Sequence, residues 1–170
     1  ILDEARKYYD LMIMGATEQR DTPDTLFHPV GSEPSRHALA WAVRLAPQLD
    51  AGVTALQVSD DVFTAHAKGY CSREQAEGWA RQAREEGTRT MREMLADIGV
   101  PDGLDVTLEV VPGQPSAVLL ERSHGAMMLV LGPRGVGRLR LLLGSVSLAC
   151  LQQAACPVVI VRDEDHVPAG

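Results

Sequence analysis

The stretch LVLGPRGVGRLRLLLGS, Leu129 to Ser145, brings together four glycines, three arginines and a serine between an apolar run and what reads as the start of a helix. A strand ending in glycine, then a loop, then a helix start is a geometry that turns unpaired backbone N–H groups toward an anion. Glycines let the main chain come close to phosphate oxygens. Arg134, Arg138 and Arg140 add local positive charge, and Ser145 is placed either to cap the helix or to donate its hydroxyl to a phosphate. The same residues also suit a plain glycine-rich turn, with solvated arginines and Ser145 as an ordinary N-cap. The pattern by itself leaves both readings open.

Two familiar nucleotide loops can be tested on specific residues. GPRGVGRL has the glycine spacing of a P-loop, but Arg138 stands where the lysine belongs and Leu139 where a Ser or Thr would bind Mg²⁺. A dinucleotide fingerprint needs a third glycine three residues after Gly137, and Arg140 is there. Neither loop is present. Cys71, Cys150 and Cys156 form no C-x-x-C pair, and His28, His37, His66, His124 and His166 show no pair at helix-face spacing. The sequence therefore predicts free thiols, no disulfide framework and no metal site. Ser145 has no base nearby in the chain, so no catalytic residue is expected.

With 16 basic and 23 acidic residues the net charge is −7, which speaks against nucleic acid or an anionic membrane surface as the main partner. No apolar run reaches the length of a membrane span, and ILDEARKYYD lacks the basic-then-apolar order of a signal peptide, so the expected location is the cytoplasm. The 170 residues suit one domain with a short appendage. Aromatics make up only 4%, leaving Leu, Val, Ala, Met and Ile to build the core.

From about Thr25 the chain alternates short apolar runs with segments of helical period. TLFHPV reads as a strand, and SEPSRHALAWAVRLAPQL as a helix capped by Ser32 or Ser35, with Ala38, Trp41, Ala42, Leu45 and Leu49 on one face. AGVTALQVSD is a strand, DDVFTAHAKGYC a loop, and Ser72 to Ile98 a long helix with Ala76, Ala80, Ala83, Met91, Met94, Leu95 and Ile98 on its apolar side. Then come strand LDVTLEVV, turn PGQP, helix SAVLLERSHG, strand AMMLVLG, the glycine loop, helix SVSLACLQQAA and strand PVVIVR. Alternating strands and helices predict a parallel sheet covered on both faces, with ligands beyond the carboxyl ends of its strands.

The front of the chain repeats a later part. Shifted by 117 positions, ILDEARKYYDLMIMG lies on VLLERSHGAMMLVLG without a gap, matching Leu2 to Leu119, Glu4 to Glu121 and Gly15 to Gly132. Both copies read as a helix followed by a strand that ends in glycine. Residues 1–20 are accordingly expected to be the remnant of a preceding homologous domain, with the main domain at 21–163 and a frayed acidic tail at 164–170.

Taken together, AMMLVLGPRGVGRLRLLLGSVSLACLQQAACPVVIVR resembles the C-terminal half of a universal stress protein domain, whose pattern is G-x₂-G-x₉-G-[ST] before a helix and a last strand opening with Pro-Val. The matches are Gly132, Gly135, Gly144, Ser145, Pro157 and Val158. PVGSEPSRHALAWAVRLA and VVPGQPSAVLLE resemble earlier parts of such a domain, and the likeness covers about residues 24–163. ILDEARKYYDLMIMGA resembles the third helix and fourth strand of another copy, as in a tandem protein, with Asp10 fitting the Asp-Leu pair common in that strand.

The resemblance implies a Rossmann-type, adenine nucleotide alpha hydrolase-like fold: a five-stranded parallel sheet with helices on both faces, dimerising through the last strand, Pro157 to Val161. It also implies a regulatory module that binds an ATP- or AMP-type nucleotide, with Mg²⁺ as its companion ion. Gly132, Gly135, Gly144 and Ser145 would take the phosphates with Arg134 beside them, and the main chain of Val58 would meet the base. One branch of the family binds ATP and another does not. Here the acid of the usual PVDGS is missing from Pro29-Val30-Gly31-Ser32, and eight residues separate Gly135 from Gly144 where the pattern has nine. Those departures define the alternative, a protein-interaction dimer that binds no nucleotide.

Overall fold

The computed structural model describes residues 10–16, 33–59, 72–132 and 143–162. They form β1 (Asp10–Ala16), α1 (Glu33–Leu45) continued by a 3₁₀ turn (Ala46–Leu49), β2 (Gly52–Ser59), α2 (Arg73–Ile98), β3 (Val106–Pro112), α3 (Pro115–Ser123), β4 (Ala126–Leu131), α4 (Ser145–Gln153) and β5 (Val158–Ile160). The five strands make one sheet in the order β3-β2-β1-β4-β5, and every neighbouring pair is parallel.

Side chains alternate across a strand, so a parallel strand covered on both faces must be apolar throughout. β2 largely meets that demand, its buried positions being apolar apart from Thr54 and Gln57. Val53 and Ala55 face a cluster with Ala38, Leu39, Ala42 and Val43 of α1 and Met91, Met94 and Leu95 of α2. Leu56 and Val58 face a second cluster with Leu119 of α3 and Cys150 of α4. β4 divides in the same way, with Val130 in the first cluster and Leu129 and Leu131 in the second. The result is a three-layer α/β arrangement, with α1 and α2 on one face and α3 and α4 on the other.

Local chemistry sets the element ends. Ser72 accepts from the N–H of Gln75 at 3.2 Å while the Gln75 side chain accepts from the N–H of Ser72 at 2.9 Å, a reciprocal cap that starts α2 where the sequence places it. Gln114 caps α3 by accepting from Ala117 N, so that helix begins at Pro115, one residue earlier than its pattern suggests. Pro47 has no N–H to continue an α-helix, and the expected helix end becomes the 3₁₀ turn, leaving Leu49 exposed instead of on the buried stripe. Ser35 is the third residue of α1 and not its cap, and Ser32 lies outside the described residues. An ion pair between Arg36 and Asp97 joins α1 to the last turn of α2.

One expectation changes. The strand read at TLFHPV, residues 25–30, lies outside the described residues, and the centre of the sheet is filled by β1 at Asp10–Ala16. The run Leu11-Met12-Ile13-Met14 offers the unbroken apolar character that a central parallel strand needs. The competing run contains His28 and Pro29, and a proline gives the ladder no donor. The loop read at DDVFTAHAKGYC falls largely on residues 60–71, and the tail on 163–170; both lie outside the described residues.

Candidate functional site

All strands run the same way, so their carboxyl ends share one edge: Ala16, Ser59, Pro112, Leu131 and Ile160. The chain order steps β3-β2-β1 to one side and β4-β5 to the other, which puts the reversal between β1 and β4. Open α/β sheets bind ligands at such a crevice, because the connections on its two sides leave in opposite directions. Gly132 follows directly on β4 at that place, and the N-terminus of α4 returns to it.

A single side chain closes the arrangement. Ser147, buried in the first turn of α4, donates from Oγ to the carbonyl of Gly132 at 3.0 Å. The bond ties the helix start to the strand end across a fifteen-residue separation, so both ends of the glycine loop are held together. Gly144 is the N-cap of α4 with extended backbone and no side-chain cap; its carbonyl accepts from Leu148 N at 2.9 Å. Gly144 is buried and Ser145 exposed, so the hydroxyl of Ser145 stands at the solvent side of a helix N-terminus.

Gly132 has a packing role of its own. A Cβ there would meet Pro34 Cβ at 2.9 Å and the Pro34 carbonyl carbon and oxygen at 3.0 Å. Two of those three atoms are backbone, so the neighbour cannot yield as a flexible side chain would. The first turn of α1 therefore closes on the end of β4 only because residue 132 has no side chain.

Of the expected site residues, Gly132, Gly144 and Ser145 are brought to one place by the Ser147 bond. Val58 is fully buried near the carboxyl end of β2, its main chain paired with Ala16 of β1 and Val111 of β3. It lies two strands from Gly132, roughly 10 Å at the usual strand spacing. Arg134 and Gly135 lie outside the described residues, as do residues 29–32, where the family acid is missing. Sequence reasoning passed over Ser147 and Pro34. Ser147 carried a faint signal, a hydroxyl on the inward face of an otherwise apolar helix start, whereas nothing in the sequence marks Pro34 as the neighbour of Gly132.

The two described cysteines, Cys150 and Cys156, are buried and half-buried. Cys150 is wholly buried among Leu56, Leu119 and Leu129, and burial, with the Cys156 thiol as a lesser cause, pushes its pKa up to about 11. Burial also raises Cys156, against backbone hydrogen bonds at Leu129 and Cys156 that act the other way. Thiols held neutral in this way are poor nucleophiles at neutral pH. Among the described residues no group of His, Cys, Asp and Glu is placed to hold a metal ion, and no helix is long and apolar enough to cross a membrane.

A parallel α/β sheet with helices on both faces defines a Rossmann-like class of fold that many activities share. Within it the assignment is specific: residues 24–162 match the profile of the universal stress protein family, and the chain belongs to that family. A universal stress protein of Mycolicibacterium smegmatis is 36% identical over 139 residues, covering 79% of this chain and 46% of that protein. The chain spans about half the length of the curated relatives it matches. Among solved structures, UspA of Lactobacillus plantarum shares the fold with a TM-score of 0.63 at 19% identity, over 91% of this chain and 98% of that one. A universal stress protein of Archaeoglobus fulgidus, solved in complex with dAMP, does so with a TM-score of 0.56 at 15% identity, over 91% and 98%.

Proposed function

We propose that this domain is a regulatory module that binds an adenine nucleotide of the ATP or AMP type at the carboxyl edge of its sheet. The observation that carries the reading is the Ser147 to Gly132 hydrogen bond, which keeps an uncapped helix N-terminus beside the end of β4 at the sheet's reversal point. The N-terminal turn of a helix and the positive end of its dipole favour phosphate. Gly132, Gly135, Gly144 and Ser145 take the phosphates in this reading, Arg134 supplies charge, and the main chain of Val58 meets the base. Mg²⁺ enters only as the companion of the nucleotide. The dAMP complex of the Archaeoglobus relative supports the choice of ligand class.

The domain further pairs with a second copy through its last strand, Pro157 to Val161. Among the described residues β5 is an edge strand bonded to β4 alone, and the adjoining α4 exposes Leu148 and Leu151 at 46% and 43%. Residues 1–20 derive from a preceding copy in a tandem protein, and the protein works in the cytoplasm. Calorimetric titration of the full chain with ATP and with AMP, each with and without Mg²⁺, tests the ligand. Saturable heat supports it, and no heat at millimolar nucleotide overturns it.

A second reading is favoured by the absence of an acid in PVGS and by the one-residue shortening of the loop. Both departures fall where the ligand would be held, and displacing an N–H by a few ångströms is enough to lose its hydrogen bond. In that reading the domain is an interaction scaffold that acts through dimerisation. Light scattering showing a stable dimer, together with a silent titration, selects it.

A further inference from the structure

α2 is built as two pieces that meet at Gly87. The second piece is anchored: Met91, Met94 and Leu95 join the first core cluster with Val53 and Ala55, and the Arg36–Asp97 ion pair ties the last turn to α1. The first piece, Arg73–Glu86, buries only Ala76 and is held together from within. The Ser72–Gln75 cap starts it, and Arg73–Glu77 and Gln82–Glu86 bonds of 3.0 Å run along it. Pairs of this spacing support a helix without docking it.

Three features converge on the turn between the pieces. Gly87 gives up helix propensity in the middle of a helix. Thr90 Oγ1 donates to the Glu86 carbonyl at 3.0 Å, a back-bond of the kind that bends helices. Gln57, 6% exposed, brings its Oε1 against the Gly87 backbone, where a Cβ would overlap it, and that oxygen accepts no hydrogen bond among the described residues. A buried acceptor without a donor is costly, and in a continuous helix the N–H groups beside it are committed to carbonyls four residues back.

We propose that α2 kinks at Gly87, with Gln57 Oε1 entering the helix ladder and accepting from a main-chain N–H of residues 87–90 that the kink frees. A side chain inserted into the ladder is a known cause of sharp bends, and only glycine leaves the amide room to reach the backbone here. Each state leaves one kind of group short, which keeps the two near balance. The straight helix leaves Gln57 Oε1 without a donor, and the kinked one loosens the carbonyls of residues 83–86, of which Glu86 keeps the Thr90 hydroxyl. The first piece is the one that moves. Gly87 meets Gln57 and Val110, each two residues before its strand ends, whereas fourteen residues of α2 precede Gly87. With about 7 Å of strand against about 21 Å of helix, the first piece stands beyond the carboxyl ends of β2 and β3. A kink therefore swings it toward or away from the edge where open α/β sheets take ligands. The device belongs to α2 and β2 and stands apart from the nucleotide reading, which rests on the Ser147–Gly132 bond of α4 and β4.

Hydrogen exchange on the full chain tests the kink, because kinking and fraying leave different profiles along α2. Fraying makes protection rise steadily from Arg73 toward Ile98. A kink leaves a minimum at the amides of residues 87–90, on the order of tenfold less protected than both 80–84 and 92–96. Gln57→Met keeps the volume and removes the acceptor, and Gln57→Val removes it with a smaller side chain suited to a strand. Either is expected to bring 87–90 up to the level of their neighbours. A steady gradient in the unaltered chain overturns the proposal. A minimum that survives in either folded variant overturns it as well, since the glycine alone would then account for it.

Discussion

Gly87 lies in the middle of α2 with its Cα pressed against β2 and β3, and replacing it with alanine sets two well-known effects against each other. Alanine is the better helix former by about 1 kcal/mol, so an exposed glycine at this position would gain stability on substitution. Here the added Cβ would fall inside the contact radius of Gln57 Oε1 and lie 2.9 Å from Val110 Cγ2 and 3.0 Å from Gln57 Cδ. Gln57 and Val110 are both buried, so neither can swing into solvent. Overpacking of this kind costs about 1–3 kcal/mol. Gln57 must turn its amide, and the net expectation is a loss of about 1–2 kcal/mol. For a chain of this length that lowers Tm by roughly 2–8 °C. Calorimetry of Gly87→Ala measures it. Because the clash is mainly with Gln57, whose Oε1 accepts no hydrogen bond among the described residues, Gly87→Ala/Gln57→Ala should lose less than the sum of the two single changes. A rise in Tm for Gly87→Ala, or strict additivity in the double variant, refutes the close approach of α2 to β2.

Other outcomes follow from the same geometry. Ser147→Ala removes the tie to the Gly132 carbonyl and should cost about 1 kcal/mol by denaturant titration; nucleotide affinity, where present, should weaken as well. Ser72→Ala deletes the reciprocal cap of α2 and should cost about 1 kcal/mol, with Ser72→Asp recovering most of it. The folded state holds the Cys150 thiol neutral up to about pH 11, whereas the unfolded thiol ionises near 9.0. Its contribution is therefore fully present below pH 9 and is lost as pH rises from 9 toward 11, roughly 3 kcal/mol in all. Cys150→Ala should flatten that part of a stability–pH curve, and an unchanged slope counts against the burial.

Most of the layer order could be read from the chain because parallel α/β units announce themselves by period. β2 through β5 and α1 through α4 fall within a few residues of their sequence patterns, and Ser72 and Gln75 mark the start of α2 by their spacing alone. The central strand could not be read in the same way. Two apolar runs, 10–16 and 25–30, each carry a strand signal, and a position buried on both faces discriminates between them by long-range pairing that no local window contains. The site was legible as a motif and not as a geometry. Glycines 132 and 144 stand out in the sequence, but their closeness depends on Ser147 Oγ reaching a carbonyl fifteen residues back. The buried stripe of α2 hid its most constrained member, since Gly87 offers no apolar side chain to a periodicity count.

The contact between Gly132 and Pro34 bears on how such domains are diagnosed. A glycine at the head of a phosphate loop is commonly taken as a fingerprint of the ligand it once met. At this position the glycine is required by the helix that closes behind it, whether or not a phosphate is in front of it. A domain that had given up its nucleotide would keep Gly132 for as long as α1 kept its place. The residues that discriminate an occupied loop from a vacant one are therefore those that no packing contact of this kind fixes in place.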